Sequence, residues 1–308
     1  MNIFLGIALQ LAATFLFTLM GGLIRYLGER VPLGELIFAR SFLALVPLLL
    51  MLAWRNELAS AVQMASPWSH LARAITGVAA MYAMFAGLAR LPLADATAIT
   101  FATPLMNVAL AAIFLGEVVR IWRWSAVGVG FVGVLVMISP HLTLTPRDET
   151  AAYGALLMLA GAFLTAAAMT QVRRLTATET TASIVFSFSV ISSVAGLATL
   201  PSGWIVPSLA DATALAGIGI FGGIGQIFLT DSYRHAPASV VAPFAYATML
   251  WAVVIGYLAF SEVPEPVVLL GAAVVIAAGL FVIWRERQLG LDRTREREAE
   301  TPPGGPAV

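Results

Sequence analysis

The sequence predicts an all-α membrane protein, with ten transmembrane helices arranged as two inverted five-helix repeats. Three observations predict it. Of the 308 residues, 60% are hydrophobic and only 11% are charged, against roughly 25% charged in a soluble domain. The apolar residues fall in runs long enough to cross a bilayer, which takes about 20 residues. The second half of the chain also repeats the order of the first.

Ten spans follow in order: 3–25, 33–54, 69–89, 93–115, 122–139, 152–172, 180–200, 212–233, 238–260 and 266–284. Turn-forming stretches separate them, among them "GERVP", "WRNELAS", "SPHLTLTPRDET", "RRLTATE" and "SEVPEP". The breaks at 89–93 and 234–237 are the shortest and mark tight hairpins. Span 7 is rich in Ser and Thr and has the weakest apolar signal. The opening "MNIFLGIALQLAATFLF" has no basic region before its apolar run and continues to full span length. It reads as a retained first helix, not a cleaved leader. Residues 287–308 are charged, then rich in Pro and Gly, and read as a disordered cytoplasmic tail.

Every basic residue is an arginine. Arg55, Arg120, Arg123, Arg173, Arg174, Arg234, Arg285 and Arg287 fall on the side of both termini, against Arg25, Arg30, Arg90 and Arg147 on the other. The positive-inside rule therefore puts both termini in the cytoplasm. An even number of spans requires the same, and the inner membrane is the expected location.

Several function classes find no support. There are no cysteines, so disulfides and Cys-ligated metals are excluded. His70, His141 and His235 lie far apart with no metal-binding spacing, so no metal and no clustered catalytic group is expected, and the chain reads as not an enzyme. A Walker motif is absent, which excludes ATP-driven pumping by this chain alone. "GVGFVG" at 128–133 matches GxGxxG but lies inside an apolar span with no strand before it. It reads as a close-packing stripe, so no cofactor and no nucleic-acid partner is expected. A channel would expose a ring of pore-lining charges, and none is present.

The repeat is visible residue by residue. At an offset of 145, Pro92 meets Pro237 and Glu117 meets Glu262. At an offset of 148, Gly6 meets Gly154, Ala12 meets Ala160, Phe15 meets Phe163, Arg25 meets Arg173, Leu27 meets Leu175 and Phe38 meets Phe186. The chain divides into a first unit at 1–140 and a second at 150–286. Five is odd, so the second unit enters the membrane inverted. Inverted repeats typify secondary transporters, whose substrate site lies near the midplane between the repeats.

The segment "LPLADATAITFATPLMNVALAAIFLGE…GVGFVGVLVMISP" and its echo "APASVVAPFAYATMLWAVVIGYLAFSE…LLGAAVVIAAGLFVIW" resemble the EamA half-repeat of the drug/metabolite transporter superfamily, over about 3–285. The resemblance implies a ten-helix carrier of small metabolites, most often exporting them. Substrates across the superfamily include amino acids, nucleosides, S-adenosylmethionine, riboflavin and drugs.

Candidate site residues come from polarity at membrane depth. Arg40 lies about four residues, roughly 6 Å, from the middle of span 2. A guanidinium there would hold a carboxylate or phosphate, or else tie the helices together. Arg73 is about one turn inside span 3 and is expected to snorkel to the headgroups. Pro104 should bend span 4, and Thr100, Thr103 and Asn107 share its face as a polar stripe. That stripe would line a cavity or bond a neighbouring helix. Pro243 should break span 9, with Tyr246 and Trp251 following. Gln226 sits among the glycines of span 8, and Tyr82 and Phe85 occupy the corresponding region of span 3. Together these imply a substrate site with aromatic walls and few charges.

Coupling or gating candidates are Asp95, Glu117, Asp231 and Glu262. Asp95 is expected to cap its helix, and Asp231 to pair with Arg234 three residues on. Glu117 and Glu262 each oppose a helix dipole, so each needs a positive partner elsewhere. The expected function is secondary transport by alternating access, exporting an amphipathic metabolite such as an amino acid. Uptake of a vitamin- or nucleoside-like compound, riboflavin or S-adenosylmethionine, is the alternative. The expected partners are the substrate, the bilayer and protons, and the expected state is a monomer.

Overall fold

The apolar runs fold as helices because a backbone without water must satisfy its own hydrogen bonds. The computed structural model describes residues 3–115, 121–142, 149–175, 178–236 and 238–300. The helices are α1 (Ile3–Leu27), α2 (Leu33–Trp54), α3 (Leu58–Val62), α4 (Pro67–Leu88), α5 (Leu93–Thr100), α6 (Ala102–Leu115) and α7 (Ile121–Ile138). The second half holds α8 (Glu149–Leu175), α9 (Thr181–Leu197), α10 (Leu209–His235), α11 (Ala238–Val241), α12 (Ala247–Phe260) and α13 (Pro266–Glu300). Among the described residues, nine helical stretches are long and apolar enough to cross a membrane, and a shorter tenth, Trp124–Ile138, lies in α7. Below, the terminal face is the one where α1 begins.

Two spans are interrupted. Span 4 breaks at Phe101, between α5 and α6, because Pro104 has no N–H for the carbonyl of Thr100. Span 9 opens as α11, passes through a tight 3-10 stretch at Ala242–Tyr246 that contains Pro243, and resumes as α12. Span 7 is helical despite its five buried serines at 183, 187, 189, 192 and 193. Ser187 and Ser193 return their hydroxyls to backbone carbonyls one turn back.

One expectation about the ends is corrected. The segment from 287, read as disordered, continues α13 to Glu300. Its Arg and Glu residues at helical spacing favour that state. The last eight residues lie outside the described ones, as does Glu117. The short surface helix α3 was not foreseen.

Helix pairing keeps the repeat. Helix α1 packs on α10 and α4 on α8, the same pair with the halves exchanged. Helices α2 and α9 pack together, as do α7 and α13, each pair made of its own counterparts. The registers also agree. Gly87 O faces the Cα of Gly154, and Ser232 O faces that of Gly6, at 3.4 and 3.1 Å from where a Cβ would stand. Offsets of 145 along α4 and α10, and 148 along α1 and α8, relate the two approaches. Two of the three glycines of the α7 stripe serve packing, Gly130 against Leu105 and Gly133 against α13, whereas Gly128 faces open space. A methyl group on Gly271 of α13 would lie 2.6 Å from the carbonyl oxygen of Gly133, so only glycine permits that approach.

Candidate functional site

Helices α2, α4, α8, α9 and α10 surround a cavity of about 370 Å³. Its rim on the terminal face holds Arg55, Glu57, Thr181 and Asp231, and its deep end holds Arg40, Arg73 and Phe188. Phe188 is near the middle of α9. The Arg73 guanidinium lies 3.8 Å from the centre of its ring, and that of Arg40 lies 5.8 Å away. A cation over an aromatic face is attracted by the ring quadrupole. Gly77 makes room for this stack, since a Cβ there would lie 2.7 Å from the Phe188 ring and 2.8 Å from Arg73 Nη1.

Among the described residues, no carboxylate lies within ion-pair distance of either arginine. Arg73 Nε and Nη1 are buried with no hydrogen-bond partner. The two like charges also repel each other. Of the two acids at the rim, Glu57 and Asp231, the second is engaged, with Arg55 Nη2 donating to both its oxygens at 3.0 and 3.1 Å. The deep end therefore carries two cations without counter-charge, a ready seat for an anion.

This arrangement corrects one expectation. Arg73 does not snorkel outward. It turns into the protein because the Phe188 face and the cavity offer it a closer partner than the headgroups. Asp231 pairs with Arg55 of α2, 176 residues away in sequence; the side chain of Arg234, its expected partner, lies outside the described ones. A partner on a neighbouring helix was invisible to spacing along one helix.

The other proposed site residues are distributed more widely. Arg40 and Gln226 line the cavity. Tyr82 packs in the apolar cluster of α1, α2 and α10, beside Phe85. Tyr246 stands edge-on to Phe101, 5.2 Å between ring centres. Trp251 donates to Thr14 Oγ1 at 3.2 Å and meets Phe15 edge-on. None of these three lines the larger cavity. The polar stripe of span 4 divides. Thr103 is half-buried and does not line the cavity, and Asn107 Oδ1 accepts from Thr170 Oγ1 at 3.2 Å, a helix–helix bond. Thr100 lines a second cavity of about 210 Å³ between α1, α4, α5, α8 and α12, with Thr18, Thr97 and Thr248. Met84 lines both cavities and forms part of the wall between them.

The opposite face is held by a different cluster. Arg25 pairs with Glu262 at 3.2 Å and donates to Ala89 O at 2.7 Å. The other Glu262 oxygen accepts from the Leu93 N–H at 2.8 Å. Glu262 thus has a positive partner and also caps α5, where the helix dipole favours an anion. The cap position is Pro92, and Asp95 is buried inside the first turn.

The EamA-like transporter family profile matches twice, at residues 4–139 and 152–284. The chain belongs to the EamA-like transporter family. It is similar to an S-adenosylmethionine uptake transporter of Rickettsia prowazekii, 28% identical over 86% of this chain and 87% of that one. It is also similar to the pseudopaline exporter of Pseudomonas aeruginosa, 28% identical over 89% and 94%. A riboflavin transporter of Rhizobium johnstonii is 31% identical over 71% of each chain. Among solved structures, one crystal structure superposes with a TM-score of 0.63 at 18% identity, covering 92% of this chain and 98% of that one, a likeness of fold. The EamA-like chain is thus a multi-pass membrane transporter of small metabolites. Phe188 and the inward turn of Arg73 are what sequence reasoning missed. The available signal was the pair of arginines inside neighbouring spans with too few acids to match.

Proposed function

We propose that this EamA-like chain is a monomeric secondary carrier of the inner membrane that binds a carboxylate-bearing metabolite with a flat or apolar body. Arg40 and Arg73, uncompensated beside the Phe188 ring, carry the reading. Keeping a cation out of water costs several kcal/mol unless something pairs with it. A ligand that brings the missing charge is therefore favoured, and a guanidinium meets a carboxylate through two parallel N–H donors. The Phe188 ring and the methionines 81 and 84 suit the apolar body.

With both termini in the cytoplasm, the cavity faces inward and the Arg25–Glu262 cluster closes the outside. Alternating access then requires that cluster to part while the Arg55–Asp231 rim closes. An inward cavity is the loading state of an exporter and the release state of an importer. Export of an amino-acid-like metabolite is the first reading. The second is uptake of a nucleoside-like compound, favoured by the relatives named for S-adenosylmethionine uptake and riboflavin transport.

A thermal-shift panel on the purified protein tests the site, because a ligand bound to the folded state raises Tm. The panel holds aromatic and aliphatic amino acids, S-adenosylmethionine and riboflavin. The expected result is a shift with a carboxylate-bearing compound, lost in Arg40→Ala and in Arg73→Gln. A riboflavin shift that survives both substitutions would replace the anion site with a ring site and leave the arginines structural.

A further inference from the structure

Beside the anion site lies a buried titratable cluster with no assigned role. His70 of α4 and the Glu179 side chain are each 2% exposed, with Nε2 3.3 Å from Oε1. On its other side, His70 Nδ1 lies 2.7 Å from Ser187 Oγ. Glu179 Oε1 also accepts from the backbone N–H groups of Ala65 and Ser66 at 2.8 and 2.9 Å.

The hydrogen-bond partners allow two neutral tautomers. The Ser187 hydroxyl reaches Ile184 O at 3.2 Å and His70 Nδ1 at 2.7 Å, and its one hydrogen can go to either. Neutral imidazole carries one N–H. If Ser187 donates to Ile184 O, Nδ1 is the donor and Nε2 turns a lone pair to the carboxylate; if it donates to Nδ1, the Nε2–H points at the carboxylate. One added proton turns that contact into an ion pair. Without it, Glu179 keeps its two backbone donors. Both protonation states are therefore provided for.

The repeat shows that the fold does not need these groups. The counterparts of His70, Glu179 and Ser187 on the opposite face are Leu215, Val31 and Ala39, by the offsets of 145 and 148. All three are buried in one apolar cluster, together with Ile218, the counterpart of Arg73. The same corner is built once from hydrocarbon and once from ionisable groups.

From this geometry we infer that His70 and Glu179 form a proton-binding site, coupled to substrate through Arg73 and Phe188. The inference rests on reading Arg40–Phe188–Arg73 as the anion site. His70 stands three residues before Arg73, one turn along the same helix, and Ser187 directly precedes Phe188. The charged surroundings are few. Helix α9 carries no charged residue, and the segment before it supplies Glu179. Helix α2 presents Arg40 and Arg55, the latter bound to Asp231 of α10, with Glu57 at the rim beyond it. On α8, Arg174 donates to Phe114 O.

Coulomb attraction and repulsion in a low dielectric fix the sign. A proton on His70 is repelled by Arg73. An anion on Arg73 relieves that repulsion, so proton and anion favour each other, and by linkage each raises the affinity of the other equally. A carrier that binds both together moves both in the same direction. Across a membrane acidic outside, that direction is inward, which sharpens the choice between the two readings toward uptake.

The test is a 15N-histidine NMR titration of the full chain in nanodiscs, with the His70 signal identified by its loss in His70→Gln. The expected signal passes from a doubly to a singly protonated ring as pH is raised from 5 to 9. Its midpoint should move in one direction in Arg73→Gln and in the other in Glu179→Gln. A His70 signal fixed in one protonation state across that range overturns the proton site, and so does a midpoint unmoved by Arg73→Gln. Failure of the substrate site is read separately. There the titration holds, but Arg40→Ala leaves ligand-induced Tm shifts unchanged.

Discussion

Position 40 in the first half and position 188 in the second are the same place in the repeat, 148 apart. One holds an arginine and the other a phenylalanine, and they face each other across the centre of the molecule. Helices α2 and α9 that carry them are counterparts packed on one another. The repeat thus supplies the scaffold, and departures from it supply the chemistry. The two faces repeat that lesson. On the opposite face every charge of the Arg25–Glu262 cluster is consumed, by the ion pair, by a carbonyl and by a helix N-terminus. At the deep end of the terminal-face cavity, two guanidiniums have no acid.

Making the centre symmetric should have the largest effect. Arg40→Phe would put the same ring at both counterpart positions and remove one charged contact. Such contacts contribute about 1.5–3 kcal/mol, so ligand affinity should fall about 10- to 100-fold with protein level kept. The exchange Arg40→Phe with Phe188→Arg restores one ring and one cation at the centre. It should recover part of the loss, whereas two substitutions at unrelated places would not. Binding measured by thermal shift across the three variants separates these outcomes.

Breaking the sealed face comes next. Glu262→Gln removes the charge that holds Arg25 and weakens the cap on Leu93. The population open on that face should grow about tenfold, equivalent to about 1.4 kcal/mol. The chain has no cysteines, so Thr97→Cys, in the second cavity, can be the one thiol present. An impermeant thiol reagent added to that face should label it faster in the Glu262→Gln background. Equal labelling rates would show that the cluster is structural and does not gate.

Much of the architecture is readable from the sequence because hydropathy and helix length are local properties. Span 2 runs 33–54 in both the reading and the structure. The repeat was legible because Pro92, Glu117, Arg25 and Phe38 mark fixed places in it. What a helix faces is not local. Arg40 stood out by depth alone. Arg73, one turn from a span end, fitted the snorkelling rule equally well, and only the position of Phe188 on another helix decides against it. Tyr82, Tyr246 and Trp251 had the composition of an aromatic wall, but a ring that packs against Phe101 or Phe15 carries the same letter as one that lines a cavity. Asp231 and Arg55, like His70 and Glu179, meet across more than a hundred residues.

A third prediction sharpens the comparison of the two corners. His70→Leu installs the residue of the counterpart position 215. The apolar corner shows that the surrounding fold accepts leucine there, so Tm should change by only a few degrees. Transport should lose its dependence on pH between 5 and 8, the range in which a histidine titrates. Initial rates in proteoliposomes at several pH values give the answer. A pH profile that persists in His70→Leu would move the coupling proton to another group, with Asp95 next in order of burial.

The smallest effect concerns Glu179 as a cap. The Ser66 N–H above all, with His70 and the Ala65 N–H, holds its carboxyl below the ordinary value of 4.5, while burial pushes it the other way. A carboxyl lowered on folding contributes stability that is fully present above its unfolded value and is lost as pH falls through its folded one. The start of α4 should therefore loosen only below about pH 4.5. Hydrogen exchange at Ala65 and Ser66 should quicken there in the wild type, while Glu179→Gln should show fast exchange at neutral pH already and little further change in acid. If the variant still slowed and quickened with pH like the wild type, the cap would owe nothing to the carboxylate charge. The proton on His70 would then have lost the anion that makes its buried site tenable.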